Sequence, residues 1–135
     1  MNKENTKKLI EAFPLLYKDV NAPLTHSLMA FGFECGDGWF QIIWDLSSKL
    51  EPMIQKYINE FPDREYYPRA LQVKEKYASL RFYMTSSTDE MEKEIRIAEE
   101  RSEKTCMDCG KEGKVVSDHG WYITVCQEHD TSKRD

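Results

Sequence analysis

No apolar run in this 135-residue chain approaches the roughly 20 residues that a membrane-spanning helix requires. The opening residues, Met1 to Lys8, lack the apolar core of a signal peptide, so the expectation is a soluble, cytoplasmic protein. Positive charge is also in deficit. Nineteen Lys and Arg stand against 24 Asp and Glu, a net −5 that argues against non-specific binding to nucleic-acid backbones or anionic membranes. There is no internal repeat and no low-complexity tract. Disorder is excluded in turn: aromatics make up 12%, too many for an acidic tail, and the length suits one compact domain with a small appendage.

Charge is unevenly distributed. Residues 1–60 carry −2, 89–104 carry −3 and 105–135 carry −2, whereas 61–88 carry +2. A basic island therefore lies in the middle of an acidic chain.

Periodicity gives the elements. Leu9, Phe13 and Leu16 predict a short first helix that Pro14 ends or bends. Three glycines at 32, 36 and 38 predict a loop with unusual backbone angles. From Trp39, the spacing of Ile43, Leu46, Leu50, Met53 and Tyr57 lines one helical face, with Asp37 as the expected N-cap. Pro52 predicts a kink there, or two abutting helices. Period-two alternation over residues 70–85 predicts a β-hairpin, with Leu71, Val73, Leu80, Phe82 and Met84 on its apolar side. Ser87 and Glu90 form a capping box for a helix running to about Lys104, whose core face is Met91, Ile95 and Ala98.

The sharpest chemical signal is Cys106-Met-Asp-Cys109 followed, sixteen residues later, by Cys126-Gln-Glu-His129. Two such knuckles offer a tetrahedral ion four soft or borderline donors, as Zn²⁺ prefers. Lys114–Val116 and Trp121–Val125 read as two short strands between them, the layout of a zinc ribbon. Without an export signal, metal is favoured over disulfides. Four protein ligands close the site, so the expected Zn²⁺ is structural.

Other residues invite catalytic readings and fail them. Asp118-His119 lies between the pairs as in HNH-type nucleases, but only six residues, read as strand, separate His119 from Cys126 where that chemistry needs a helix. No His-x-Glu precedes the Cys pair, as a zinc deaminase would require. Cys35 and His26 lack an orienting partner and an oxyanion hole.

The basic island suggests a binding face. Alternation puts Lys74, Lys76, Arg81 and Tyr83 on one surface of two paired strands, suited to a phosphate or carboxylate, although strands with one buried face ordinarily carry a solvated polar one. Glu75 falls on the apolar side, where it pairs with a lysine or marks a bulge. Gly36-Asp-Gly-Trp39 is a second candidate, with helix-terminal amides for an anion and Trp39 or, from the ribbon, Trp121 for stacking. The helical spacing of Trp39 equally suits a core residue.

Phe31–Phe40, Val73–Tyr83 and the Ser102…Cys106-x₂-Cys109-Gly…Gly120-Trp…Cys126-x₂-His129 ending resemble a family of small bacteriophage and prophage proteins. Its members carry a similar GDGW loop, a VKEK-aromatic-Gly-x-LRFY hairpin and a C-terminal zinc ribbon. The resemblance spans residues from about 28 to 129, with Ala78 where the hairpin turn usually has glycine, so a differently shaped turn is expected. It implies a phage origin and, by association, a part in blocking host processes or antagonising host defence.

The expectation is thus an α+β fold, helices on a small antiparallel hairpin or sheet, with residues 1–104 as the main domain and 105–135 as a docked zinc ribbon. The expected function is non-enzymatic: binding of an anionic ligand, a nucleotide or nucleotide-derived signal, through Lys74, Lys76, Arg81, Tyr83 and Trp39. The alternative is inhibition of a host protein through the acidic helix 89–104 or the ribbon. Nucleic-acid regulation ranks third, because the ribbon carries net negative charge.

Overall fold

Helix α1 (Lys3–Ala12) begins at Asn2, whose side chain accepts the Asn5 N–H, and ends just before Pro14. The computed structural model describes residues 1–132, so the last three residues of the expected ribbon segment lie outside the described residues. Short 3₁₀ turns follow at Lys18–Asn21 and Met29–Phe31.

Strand β1 (Phe33–Glu34) was not expected from the sequence. Two residues between glycine-rich turns carry no readable alternation, yet they pair in parallel with Val73 and Lys74. A 3₁₀ turn at Asp37–Trp39 then leads into α2 (Phe40–Glu60).

Two expectations for α2 are corrected. Asp37 does not cap it; its carboxylate accepts the Asn2 backbone N–H at 2.8 Å and the Asn5 side-chain amide at 3.2 Å, tying the loop to α1. Of the two outcomes expected at Pro52, abutting helices are not found: α2 is one helix. A proline costs a helix interior about 3 kcal/mol, but the buried stripe of Ile43, Leu46, Leu50 and Ile54 continues across it and holds the helix by packing.

Strands β2 (Ala70–Lys76) and β3 (Ser79–Met84) form the antiparallel hairpin, completing a sheet of order β1-β2-β3. Its turn is Tyr77-Ala78, with φ of 53° and 69°. Both residues are left-handed, the geometry of two-residue hairpins that favours asparagine and glycine, and Ala78 adopts it without being glycine. The register shifts between Ala70 and Gln72, a bulge at Leu71. Because a bulge moves every side chain beyond it to the other face, Ala70 and Val73 are the buried residues here, and Leu71 is only half-buried.

Helix α3 (Asp89–Ser102) is capped by Thr88 rather than Ser87: the Thr88 hydroxyl accepts the Met91 N–H at 3.3 Å, while Ser87 engages Glu92. It stops two residues short of Lys104, and Met91, Ile95 and Ala98 are buried as the spacing predicts. It also protects the sheet edge. The outward amides of β3 are satisfied by α3 side chains, Leu80 N–H donating to the Ser102 hydroxyl at 2.9 Å and Phe82 N–H to Glu99 at 3.2 Å. An edge strand covered in this way offers no template for another chain.

The chain ends in a second hairpin, β4 (Lys114–Asp118) and β5 (Trp121–Val125). The fold is α+β: among the described residues there are three α-helices, a small three-stranded sheet that β1 makes mixed, and a two-stranded C-terminal unit. Its core joins Leu9, Leu16, Tyr17, Trp39, the α2 stripe, Val73, Leu80 and Phe82. Tyr17 is buried in it with its hydroxyl 2.6 Å from that of Ser47.

Candidate functional site

Cys106, Cys109, Cys126 and His129 converge, their donor atoms all within 4.8 Å of one another. The β4–β5 hairpin brings the second pair back beside the first, and backbone bonds fold the first knuckle. Gly110 N–H donates to Cys106 O at 2.9 Å and Cys106 N–H to Lys111 O at 2.8 Å. The sulfurs of Cys109 and Cys126 are 3.7 Å apart, far beyond a disulfide, and the Cys106 sulfur lies 3.6 Å from His129 Nδ1. A tetrahedral ion with metal–sulfur bonds of about 2.3 Å and a metal–nitrogen bond of about 2.0 Å separates its donors by roughly 3.5–3.8 Å. With Cys126 Sγ 3.2 Å from His129 Nδ1, the cluster is compatible with a metal site whose four ligands all belong to the protein.

The GDGW loop receives this knuckle. Gly38 N–H donates to Met107 O at 3.0 Å. A Cβ on Gly36 would lie 2.1 Å from Met107 O, and one on Gly38 2.1 Å from Cys106 O. Neither position accepts a side chain. Gly36 has the ordinary φ of −77°, and of the three glycines only Gly32 has a positive φ, so Gly36 and Gly38 serve close approach rather than an unusual backbone angle. Trp39 completes the contact by donating its indole N–H to Thr105 O at 2.9 Å.

Trp39 as a ligand-stacking residue is therefore corrected. Its ring is 0% exposed, and its one polar atom is spent on the knuckle. The core spacing noted in the sequence prevails. Gly38 N–H is likewise committed to Met107 O, so this loop joins the two parts of the chain.

On the β2–β3 hairpin, Lys74 lies directly opposite Arg81, Lys76 opposite Ser79 and Gln72 opposite Tyr83. By alternation these share the face turned away from Val73 and Phe82. Glu34 of β1 is Lys74's neighbour on the other side, and it accepts from the Gln72 side-chain amide at 3.2 Å. Among the described residues, Lys74, Lys76 and Arg81 form no ion pair. Glu75 neither pairs with a lysine nor marks the bulge; its carboxylate accepts the Ala78 N–H at 3.0 Å and braces the turn. Burial pushes Glu99 above the ordinary carboxylate range, opposed by the Phe82 N–H it accepts and by nearby Arg81.

The turn of the first hairpin meets strand β5 of the second. The Thr124 hydroxyl donates to Ala78 O at 2.6 Å, and Met107 N–H donates to Thr124 O at 2.9 Å. Beside this contact runs a groove of about 380 Å³ lined by Glu75, Lys76, Tyr77, Gly120, Trp121 and Tyr122. Sequence reasoning named Lys76 and Trp121 but missed Tyr77 and Tyr122; the available signal was, for Tyr77, a large aromatic at a turn position that ordinarily holds a small polar residue and, for Tyr122, its place next to Trp121.

The remaining candidates separate. Cys35 is half-buried, and burial pushes its thiol up to about 12, opposite to what a nucleophile needs. His26 lines a different cavity with Lys18, Asp19 and Arg69. His119 sits in the β4–β5 turn, its ring 2.6 Å from Asp118, and the residues after it form β5 rather than a helix. The Thr131 hydroxyl and the His119 ring hold the Asp118 carboxyl below its ordinary range. Among the described residues no helix is long and apolar enough to cross a membrane. Comparison of the chain with protein-family models, curated proteins and solved structures finds no match.

Proposed function

We propose that this chain is a non-enzymatic binding protein of phage type that holds an anionic ligand, a nucleotide or nucleotide-derived signal, on its β2–β3 hairpin, and that its Cys₃His cluster carries a structural Zn²⁺. The observation that carries the first part is the Lys74–Arg81 pair. Two cations lie directly opposite each other on neighbouring strands, with Lys76 and Tyr83 on the same face. Like charges so placed repel and weaken a hairpin, and no described carboxylate pairs with either. An anion bridging them relieves that repulsion, with arginine as a bidentate fork and lysine as a point charge. Glu34 beside Lys74 and Glu99 near Arg81 lower the local charge without forming an ion pair with either cation. A compact anion suits such a face, whereas a long polyanion meets the acidity of the remaining chain.

The zinc assignment rests on donor chemistry. Three thiolates and an imidazole within 4.8 Å of one another suit Zn²⁺, and a site closed by four protein ligands leaves no open position for substrate. Its contribution is to hold the second hairpin in place. Antagonism of host defence, implied by the phage resemblance, follows where the bound nucleotide is a host signal. Inhibition of a host protein through helix 89–104 has less support, because part of that acidic surface is engaged in the fold: Glu94 pairs with Lys49 and Glu99 braces β3.

Isothermal calorimetry of the wild type and of the Lys74→Ala/Arg81→Ala variant against a panel of nucleotides tests the reading. Binding by the wild type, weakened at least tenfold in the variant, is the expected result. No binding to any member removes it.

A further inference from the structure

Three large, exposed aromatics stand where the β2–β3 turn faces the start of β5. Trp121 is 77% exposed, Tyr77 71% and Tyr122 53%, and all three border the same groove. Tyr77 also holds a left-handed backbone, with φ of 53°, a conformation that disfavours a bulky side chain and that asparagine or glycine would take at lower cost. An aromatic this exposed buries little apolar surface to offset its backbone strain, and strain of this kind collects at binding sites.

The groove is fixed rather than incidental. Its walls belong to different hairpins, joined by the Thr124–Ala78 bond, and the metal knuckle bonds to Thr124 from behind. Its volume lies in the range of small-molecule sites. It is also continuous with the basic face: Lys76 lines it, with its ammonium 5.7 Å from the centre of the Tyr77 ring. Lys74 is two residues along the same face, roughly 7 Å away at strand spacing. The lining carboxylate, Glu75, is turned to the Ala78 amide.

We infer that this groove is a base-stacking subsite, in which Trp121 and Tyr77 hold the ring of a nucleotide whose phosphates lie on Lys76, Lys74 and Arg81. The inference rests on the anion-binding reading above and goes beyond it, since it divides the ligand between two hairpins. A flat ring between a tryptophan and a tyrosine, with anionic charge continuing toward three cations, matches the aromatic and basic character of the two halves. Stacking tolerates any base, so selectivity among bases is small at this subsite.

The test uses the full-length, metal-loaded chain with ATP, GTP, CTP, UTP and inorganic triphosphate as probes. The expected result is that the nucleotides bind at least tenfold more tightly than triphosphate. Trp121→Ala and Tyr77→Ala each abolish most of that preference and leave triphosphate binding unchanged, and Trp121→Phe restores it. An unchanged metal content and thermal midpoint confirm that the exposed-site variants are folded. If triphosphate and nucleotides bind equally, and Trp121→Ala changes neither while Lys74→Ala/Arg81→Ala weakens both, the base subsite is overturned and the anion reading stands. If no probe binds, both fall. Binding of an apolar peptide in the groove without any nucleotide binding would also overturn it.

Discussion

The buried indole of Trp39 donates its N–H to the backbone carbonyl of Thr105 at 2.9 Å, one residue before the first metal-ligand cysteine. The centre of the hydrophobic core is thereby bonded to the edge of the metal knuckle, and neither can rearrange alone. Trp39→Phe removes that donor, leaves the carbonyl without its partner and opens a void. A loss of about 2 kcal/mol or more is expected, read as a lower denaturation midpoint. Metal retention falls in the same variant, measured by competition with a chromogenic chelator, because whatever destabilises the knuckle's support is subtracted from metal binding. Unchanged retention would show that core and knuckle are independent.

Metal removal gives the converse. The C-terminal hairpin has a satellite core of Cys106, Val125 and Cys126 with Met107, Val116 and Ile123 against it, too little apolar surface to persist unaided. Elemental analysis is expected to find one zinc per chain. Chelation is expected to erase the amide-exchange protection of β4 and β5 while α2 and α3 retain theirs. Absence of stoichiometric zinc or iron in purified protein would sink the metal site.

Gly38→Ala tests the close approach directly. The added methyl meets the Cys106 carbonyl oxygen, the Met107 carbonyl carbon and the Gly110 nitrogen at 2.1, 2.6 and 2.8 Å, all backbone atoms that cannot swing aside. Overpacking against backbone is expected to cost about 3 kcal/mol and to weaken zinc affinity more than tenfold. Chemical denaturation and chelator competition check the two halves of that outcome.

The metal cluster, the two hairpins and helices α2 and α3 were legible because each has a strong local signature: x₂ spacing, period-two alternation, period-3.6 stripes; of the stripe that suggested α1, only Leu9 lies within it. What was not legible depends on partners distant in sequence. Strand β1 is two residues long and exists by pairing with Val73 and Lys74, some 40 positions away. The bulge at Leu71 put Ala70 inward in place of Leu71, with Val73 unchanged, because register is set by the partner strand. Gly36 and Gly38 suggested dihedral freedom, and only the docked knuckle gives their real reason. Trp39 fitted core and site alike on spacing; its burial decided the question.

Cys35 should behave as an inert thiol. With its pKa pushed up to about 12 by burial, almost none is thiolate at pH 8, and the thiolate is the reactive form. Native, zinc-loaded protein is expected to take up no iodoacetamide on Cys35 over minutes at pH 8, and all four cysteines are expected to react after denaturation with chelator. Cys35→Ser is expected to keep full zinc stoichiometry. Rapid labelling of Cys35 in the native state would reopen its reading as a nucleophile.

Glu99 gives the fold a pH dependence of definite sign. Its carboxyl is held above the ordinary range by burial, so across the window between its unfolded and folded values the folded state carries the extra proton. Stability then falls as pH rises through that window, because the native state binds more protons there than the unfolded one. The contribution is fully present below the ordinary carboxylate range and is lost as pH passes the folded value. Glu99→Gln keeps an oxygen to accept the Phe82 N–H but does not titrate. Its denaturation midpoint relative to wild type is therefore expected to be higher at pH 7 than at pH 4, since only the wild type gains stability on acidification through this group. Glu99→Ala strips the acceptor as well and leaves the Phe82 amide on the β3 edge without its partner, so it is expected to be less stable than Glu99→Gln at both pH values. Parallel pH profiles for wild type and Glu99→Gln would show that Glu99 titrates as a solvated carboxylate and that the edge of β3 is braced by α3 packing and Ser102 alone.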